Sequence, residues 1–153
     1  MCIESTYYRS ATKDLSVRLT SFTDYGLRVL MRLAGAPERS FTTDQIATEF
    51  AISRNHLTKV VQDLVRFGYV AAQRGKGGGL RLARPAEDIR LGEVVRHLEG
   101  DGALVECFRA DGGACTLRST CGLRQRLAKA RESFLDSLNT STLADCAYRG
   151  GLS

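Results

Sequence analysis

The sequence predicts a mainly α-helical fold with one small β-hairpin: a winged helix-turn-helix domain followed by a long C-terminal dimerisation helix. Three observations predict it. Two amphipathic segments with N-terminal caps sit one short turn apart, the apolar period then falls to two around a glycine-rich tip, and a charged helical stripe of about five turns follows. With 153 residues, 43% hydrophobic and 25% charged, the chain has room for one domain and an appendage. That is too short for most two-domain cofactor enzymes. No apolar run approaches the roughly 20 residues that span a bilayer. Residues 1–16 carry Glu4, Arg9, Lys13 and Asp14 without a continuous apolar stretch, so they do not read as a secretory signal. The expectation is a soluble, cytoplasmic protein with no membrane segment.

The elements follow in order. Phe22, Tyr25, Val29, Leu30 and Leu33 recur at helical spacing, and Ser21 with Asp24 reads as an N-terminal capping box. This helix should end near Gly35-Ala36-Pro37. A second box, Thr42 with Gln45, opens a short helix through Ile46, Ala47 and Phe50. Ala51-Ile52 then turns, and Ser53 caps a third helix with Leu57, Val60, Val61 and Leu64 inside, stopped at Gly68. From Tyr69 to Arg74 and from Leu80 to Arg84 the period is two, with Gly75-Lys76-Gly77-Gly78-Gly79 between them, which reads as a hairpin. Pro85 ends this wing before a helix with Leu91, Val94, Val95 and Leu98 inside. Residues 17–99 are the expected winged domain.

Residues 100–120, rich in Gly and Cys and without periodicity, read as a loop. From Cys121, the residues Leu123, Leu127, Ala130, Phe134 and Leu138 form a stripe that one small domain cannot fully cover. The expected partner is the same helix of a second subunit, because recognition of palindromic DNA needs two-fold symmetry. Residues 121–148 are therefore the expected dimerisation helix and C-terminal segment.

Charge locates the partner. The chain carries a formal net charge of +5, and Ser53 to Arg96 holds nine basic residues against four acidic ones, which is the whole surplus. A polyanion fits that distribution better than a merely solvated face. In a major groove, the first turns of the third helix would present Ser53, Arg54, Asn55 and His56 to base edges, with Lys59 placed for phosphate. Asn pairs bidentately with adenine and Arg with guanine. At the wing, Arg74 fits a narrow minor groove and Lys76 lies at the glycine tip. The tip is not a nucleotide loop, since Gly77 follows Lys76 where that motif needs Ser or Thr.

The five cysteines are an odd number and do not read as a disulfide framework. Cys2 and Cys146 stand apart, whereas Cys107, Cys115 and Cys121 follow a C-x7-C-x5-C spacing. Three thiolates on a loop suit a soft metal: an iron-sulfur cluster or, with no CxxC pair and no following His, less readily zinc. Spacing alone leaves the cluster and three buried structural thiols both open. An oxidoreductase would need a substrate cleft and a low-potential Cys pair, and the sequence offers neither a CxxC nor a nucleotide fingerprint.

These motifs together resemble a known family. RLTSFTDYGLRVL (Arg18 to Leu30), SRNHLTKVV (Ser53 to Val61), RGKGGGLRLARP (Arg74 to Pro85), LGEVVRHLEG (Leu91 to Gly100), LVECF (Leu104 to Phe108), the three cysteines and TLAD (Thr142 to Asp145) look like the iron-sulfur winged-helix regulators that include IscR, NsrR and RirA. The resemblance runs from about Val17 to Tyr148. It implies a homodimeric transcription factor whose hold on operator DNA is set by a [4Fe-4S] or [2Fe-2S] cluster on Cys107, Cys115 and Cys121. Within the family, the match is closest to the nitric-oxide-sensing repressors of the NsrR branch. In that branch an aspartate at the position of Asp24 supplies a fourth iron ligand across the dimer. The IscR branch carries a histidine where this chain has Arg124. The iron-responsive RirA branch shares the loop length but lacks SRNH and the aspartate, and it stays an alternative together with a zinc or thiol redox regulator. Relatives begin near Met-Arg-Leu-Thr, so Val17 is the expected initiator and residues 1–16 an extension not made in the cell.

Overall fold

The computed structural model describes residues 18–100, 105, 108, 111–117 and 120–150. The expected extension, residues 1–16, and the candidate ligand Cys107 lie outside them. Among the described residues, five α-helices and a two-stranded antiparallel hairpin form the expected mainly helical, winged architecture: α1 (Ser21–Ala34), α2 (Thr43–Glu49), α3 (Arg54–Arg66), β1 (Val70–Gln73), β2 (Gly79–Leu82), α4 (Leu91–Glu99) and α5 (Gly122–Asn139).

The cap of α1 differs from the expected one. Thr20, not Ser21, is the N-cap, its hydroxyl accepting from the Thr23 amide at 3.2 Å. Glu99 at the end of α4 accepts from the Thr20 amide at 2.8 Å and its hydroxyl at 3.0 Å. A tertiary carboxylate thus takes the reciprocal role that the spacing assigned to Asp24. Asp24 is free to pair forward with Arg28 at 2.8 Å.

The box at α2 is as expected. Thr42 and Gln45 exchange hydrogen bonds of 2.9 and 3.1 Å, and Phe41 before the cap is buried with Ile46, as in a hydrophobic staple. The turn to α3 is a Schellman motif, with Ile52 N–H donating to Ala47 C=O at 2.9 Å and Ala51 N–H to Thr48 C=O at 3.2 Å. That motif sets its pivot residue in the left-handed region, and Ala51 has φ +53°. Ser53 holds the N-cap position of α3, but its hydroxyl makes no cap hydrogen bond. The inner face of α3 is Leu57, Val60, Val61 and Leu64, all buried. Gly68 at φ +75° ends α3 in the same motif.

In the hairpin, Val70 pairs with Leu82 and Gln73 with Gly79. Only Val70 and Leu80 of the strands are buried, so one face grips the core and the other is open. A third segment joins it: Phe41 forms a bridge with Leu80, with N···O distances of 3.2 and 2.7 Å. The core that holds these parts comprises Val29, Leu30, Leu33, Ile46, Leu57, Leu64, Tyr69, Ile89 and Val94, among others. At roughly 1.5–3 kcal/mol for each fully buried large apolar side chain, this packing fixes the exposed faces described below.

Packing also crosses the pattern boundary at residue 99. Beyond α5 the chain returns to the winged unit, where Leu143 is fully buried and its amide donates to Ile89 C=O at 2.8 Å. α5 lies on α4 at a point where Gly92 has no side chain, since a Cβ there would stand 2.5 Å from Asn139 Oδ1 and collide with the Leu135 carbonyl. Arg96 of α4 pairs with Glu132 of α5 at 2.6 Å. The hydrogen bond from Arg96 holds the Glu132 carboxyl below its ordinary range.

Candidate nucleic-acid interface and cysteine loop

The buried faces of α3 and the hairpin leave their opposite faces open. Ser53, Arg54, Asn55, His56 and Lys59 are all exposed on the first turns of α3, and Arg74 and Lys76 are exposed at the wing. The two sets belong to one rigid unit, because Tyr69, immediately before β1, is fully buried against the core and its amide closes the end of α3 on the Leu64 carbonyl at 2.9 Å. The Tyr69 hydroxyl shares a 2.6 Å hydrogen bond with Nδ1 of His97 on α4. Burial raises the Tyr69 phenol above its ordinary range, with Arg84 opposing the shift, so the phenol is neutral and able to donate. His97 in turn stacks on Phe67 with centroids 4.7 Å apart.

Charge is distributed unevenly over this surface. Arg54 is engaged by Asp44 of α2 at 2.7 Å, and Arg66 by Asp63 at 3.2 Å. Lys59, Arg74, Lys76 and Arg81 are exposed and form no ion pair with the described residues. These cations therefore remain available to a polyanion. Arg54 must leave or share Asp44 to reach a base, an exposed exchange that costs about 0–1 kcal/mol.

The wing tip is preformed. Gly75 and Gly77 have φ of +96° and +80°, and Gly78 N–H donates to Gly75 C=O at 3.0 Å. Side chains other than glycine are strained in that region. Ser40 Oγ donates to Gly77 C=O at 3.5 Å, tying the tip to the segment before α2.

Of the expected metal ligands, Cys115 and Cys121 are free, half-buried thiols. Cys121 is the N-cap of α5, and Cys115 follows two residues after a turn that Asp111 closes by accepting from the Gly113 amide at 3.0 Å. Arg124, one turn into α5, lays its guanidinium 5.8 Å from the Phe108 ring and so braces the loop against the helix. Two free sulfur donors on one loop fit the chemistry of an iron-sulfur group. Asp24 stands in the first turn of α1, 46% exposed and paired with Arg28. Among the described residues, no three His, Cys, Asp or Glu side chains gather as a metal site. Sequence reasoning missed the Glu99 cap, the Phe41 bridge, the Tyr69–His97 bond and the buried Arg32–Glu49 pair. Each joins segments far apart in the chain, and periodicity carries no signal for them.

A family model described as Rrf2, iron-dependent transcriptional regulator, matches residues 19–149. CymR of Staphylococcus aureus is 26% identical, with a TM-score of 0.65 over 86% of this chain and 99% of that one. The B. subtilis CymR (YrzC), described as the global cysteine regulator, is 25% identical, with a TM-score of 0.69 over 89% of this chain and 100% of that one. IscR of T. potens is 25% identical, with a TM-score of 0.67 over 85% of each chain. Among the described residues, no helix is long and apolar enough to cross a membrane. Rrf2 regulators are DNA-binding transcription factors, not enzymes, and are typically dimeric. Because the match takes in α1, α3, the wing and the returning C-terminal segment, the chain belongs to the Rrf2 family of transcriptional regulators.

Proposed function

We propose that this chain is a cytoplasmic, homodimeric repressor that places Ser53 to Lys59 in a major groove of a palindromic operator and Arg74 in the neighbouring minor groove. The observation that carries the DNA contact is the positive charge of Lys59, Arg74 and Lys76, which are exposed and form no ion pair with the described residues. Its signal is nitric oxide, received at an iron-sulfur group held by Cys107, Cys115 and Cys121 with Asp24 of the partner subunit. The free state of Cys115 and Cys121 and the likeness to IscR support such a group. When bound, it supplies iron, for which nitric oxide has high affinity.

The chain's own residues then relay the change. Cys121 holds the N-cap position of α5 through its backbone, without a side-chain cap hydrogen bond, so a shift of that backbone would be felt at the first turn of the helix. Through the Arg96–Glu132 pair and the Gly92 approach, α5 bears on α4. His97 of α4 holds the wing base through Tyr69. Releasing the operator demands that the two states differ in DNA affinity by several kcal/mol.

Likeness to the cysteine regulator CymR favours a second reading, in which Cys115 and Cys121 act as redox thiols without a cluster. Fluorescence anisotropy on anaerobically reconstituted protein, with the visible spectrum recorded while nitric oxide is added at fixed iron, separates the readings. Bleaching and DNA release after a few equivalents supports nitric-oxide sensing. DNA retained until a chelator strips iron moves the signal to iron supply, and a colourless protein lacking acid-labile sulfide leaves the thiol regulator.

A further inference from the structure

Among the described residues, Arg32 is the one charged side chain in the core, and it lies where four segments meet. It projects from the last turn of α1, with its side chain only 8% exposed. Its Nε donates to Glu49 Oε2 in the last turn of α2 at 2.8 Å. Its guanidinium lies 4.3 Å from the centroid of the Phe41 ring and 6.0 Å from that of Tyr148. A Cβ at Gly150 would stand 2.9 Å from Arg32 Nη2, so the C-terminal segment passes directly over the charge. Burying a guanidinium this way is costly, and apolar groups of similar volume would pack at least as well.

What the charge gains is a junction. Phe41 bridges Leu80 of the wing, and the neighbouring Ser40 holds the tip at Gly77. Tyr148 is seated by its amide on Met31 C=O at 2.8 Å and by its ring against Phe50 at 5.9 Å. We infer that Arg32 is a positioning residue for DNA recognition: it fixes the wing, through Phe41, to the segment that follows α5, through Tyr148. A planar guanidinium is what the site requires, because one cation must meet a carboxylate through Nε and two rings through its face.

This inference rests on the DNA-binding reading. The probe is a duplex selected by the wild-type protein from random-sequence DNA, with binding followed by anisotropy across a salt series and folding by circular dichroism. Failure of the wild type to select any duplex would end the DNA-binding reading itself, an outcome distinct from failure of the clamp. Arg32→Lys and Tyr148→Leu are expected to stay folded and to bind about tenfold more weakly. The slope of log affinity against log salt should also fall by about 1, as a wing cation withdraws from the DNA polyanion. Folded variants with wild-type affinity and slope overturn the proposal. So does weaker binding with an unchanged slope, since simple destabilisation leaves the contacts of the folded fraction intact. Should Arg32→Lys fail to fold, Tyr148→Leu decides, because it leaves the Arg32–Glu49 pair in place.

Discussion

At the scale of single residues, the interface is a matter of which cations are left unpaired. Arg54 has Asp44 beside it, whereas Arg74 is exposed and forms no ion pair with the described residues. Arg74→Ala is therefore expected to weaken binding to a selected duplex by about 1–3 kcal/mol, measured by anisotropy. An unchanged affinity would remove the wing from the interface. A second residue-scale feature is Ala51, exposed and held at φ +53°. The left-handed region costs an L-residue about 1–2 kcal/mol, partly offset for glycine by its freer unfolded chain. Ala51→Gly should raise stability by about 0.5–1 kcal/mol in denaturant unfolding, and a loss of stability would contradict the strain.

At the scale of elements, the contact between α4 and α5 rests on Gly92. The Asn139 side chain accepts from the Glu93 amide at 3.0 Å, and the Arg90 guanidinium donates to the Asn139 carbonyl at 3.2 Å, so the last turn of α5 is fastened to the first turn of α4. A methyl at position 92 would enter that contact, and an overpacked site of this kind costs about 1–3 kcal/mol. Gly92→Ala should lower the thermal midpoint and loosen α5, visible as faster amide exchange over 122–139. Wild-type exchange in that helix would mean that the two helices slide apart at no cost.

The molecule as a whole is not closed by its own core. Of the outer face of α5, Leu123 is 60% exposed and Phe134 is 40% exposed, and Leu135 is the one residue of the helix that is buried. A helix of 18 residues is about 27 Å long, enough for a continuous seam with a second copy. Replacing both Leu123 and Phe134 by Glu is expected to give monomers by sedimentation velocity and to weaken binding to a palindromic duplex. A wild-type protein that sediments as a monomer in the presence of the duplex would remove the symmetric repressor.

The sequence alone determined the elements. The Thr42–Gln45 box, the buried face of α3 from Leu57 to Leu64, the stop at Gly68 and the glycine tip of the wing are all set by neighbours a few residues apart. Helical period, capping and backbone freedom act over that same distance. The exposed candidates on α3 and the wing were legible for the same reason, since the side of an element that is not apolar is the side left open. Only tertiary structure decided how the elements are joined. Thr20 found its capping carboxylate 79 residues away at Glu99, which displaced the expected role of Asp24. Phe41 bridged the wing at Leu80, Leu143 returned to fill the core, and Tyr148 came to lie beside the Arg32 guanidinium. Such contacts are chosen by shape and by the need to satisfy buried polar groups, and these forces act on residues near in space, whatever their separation along the chain.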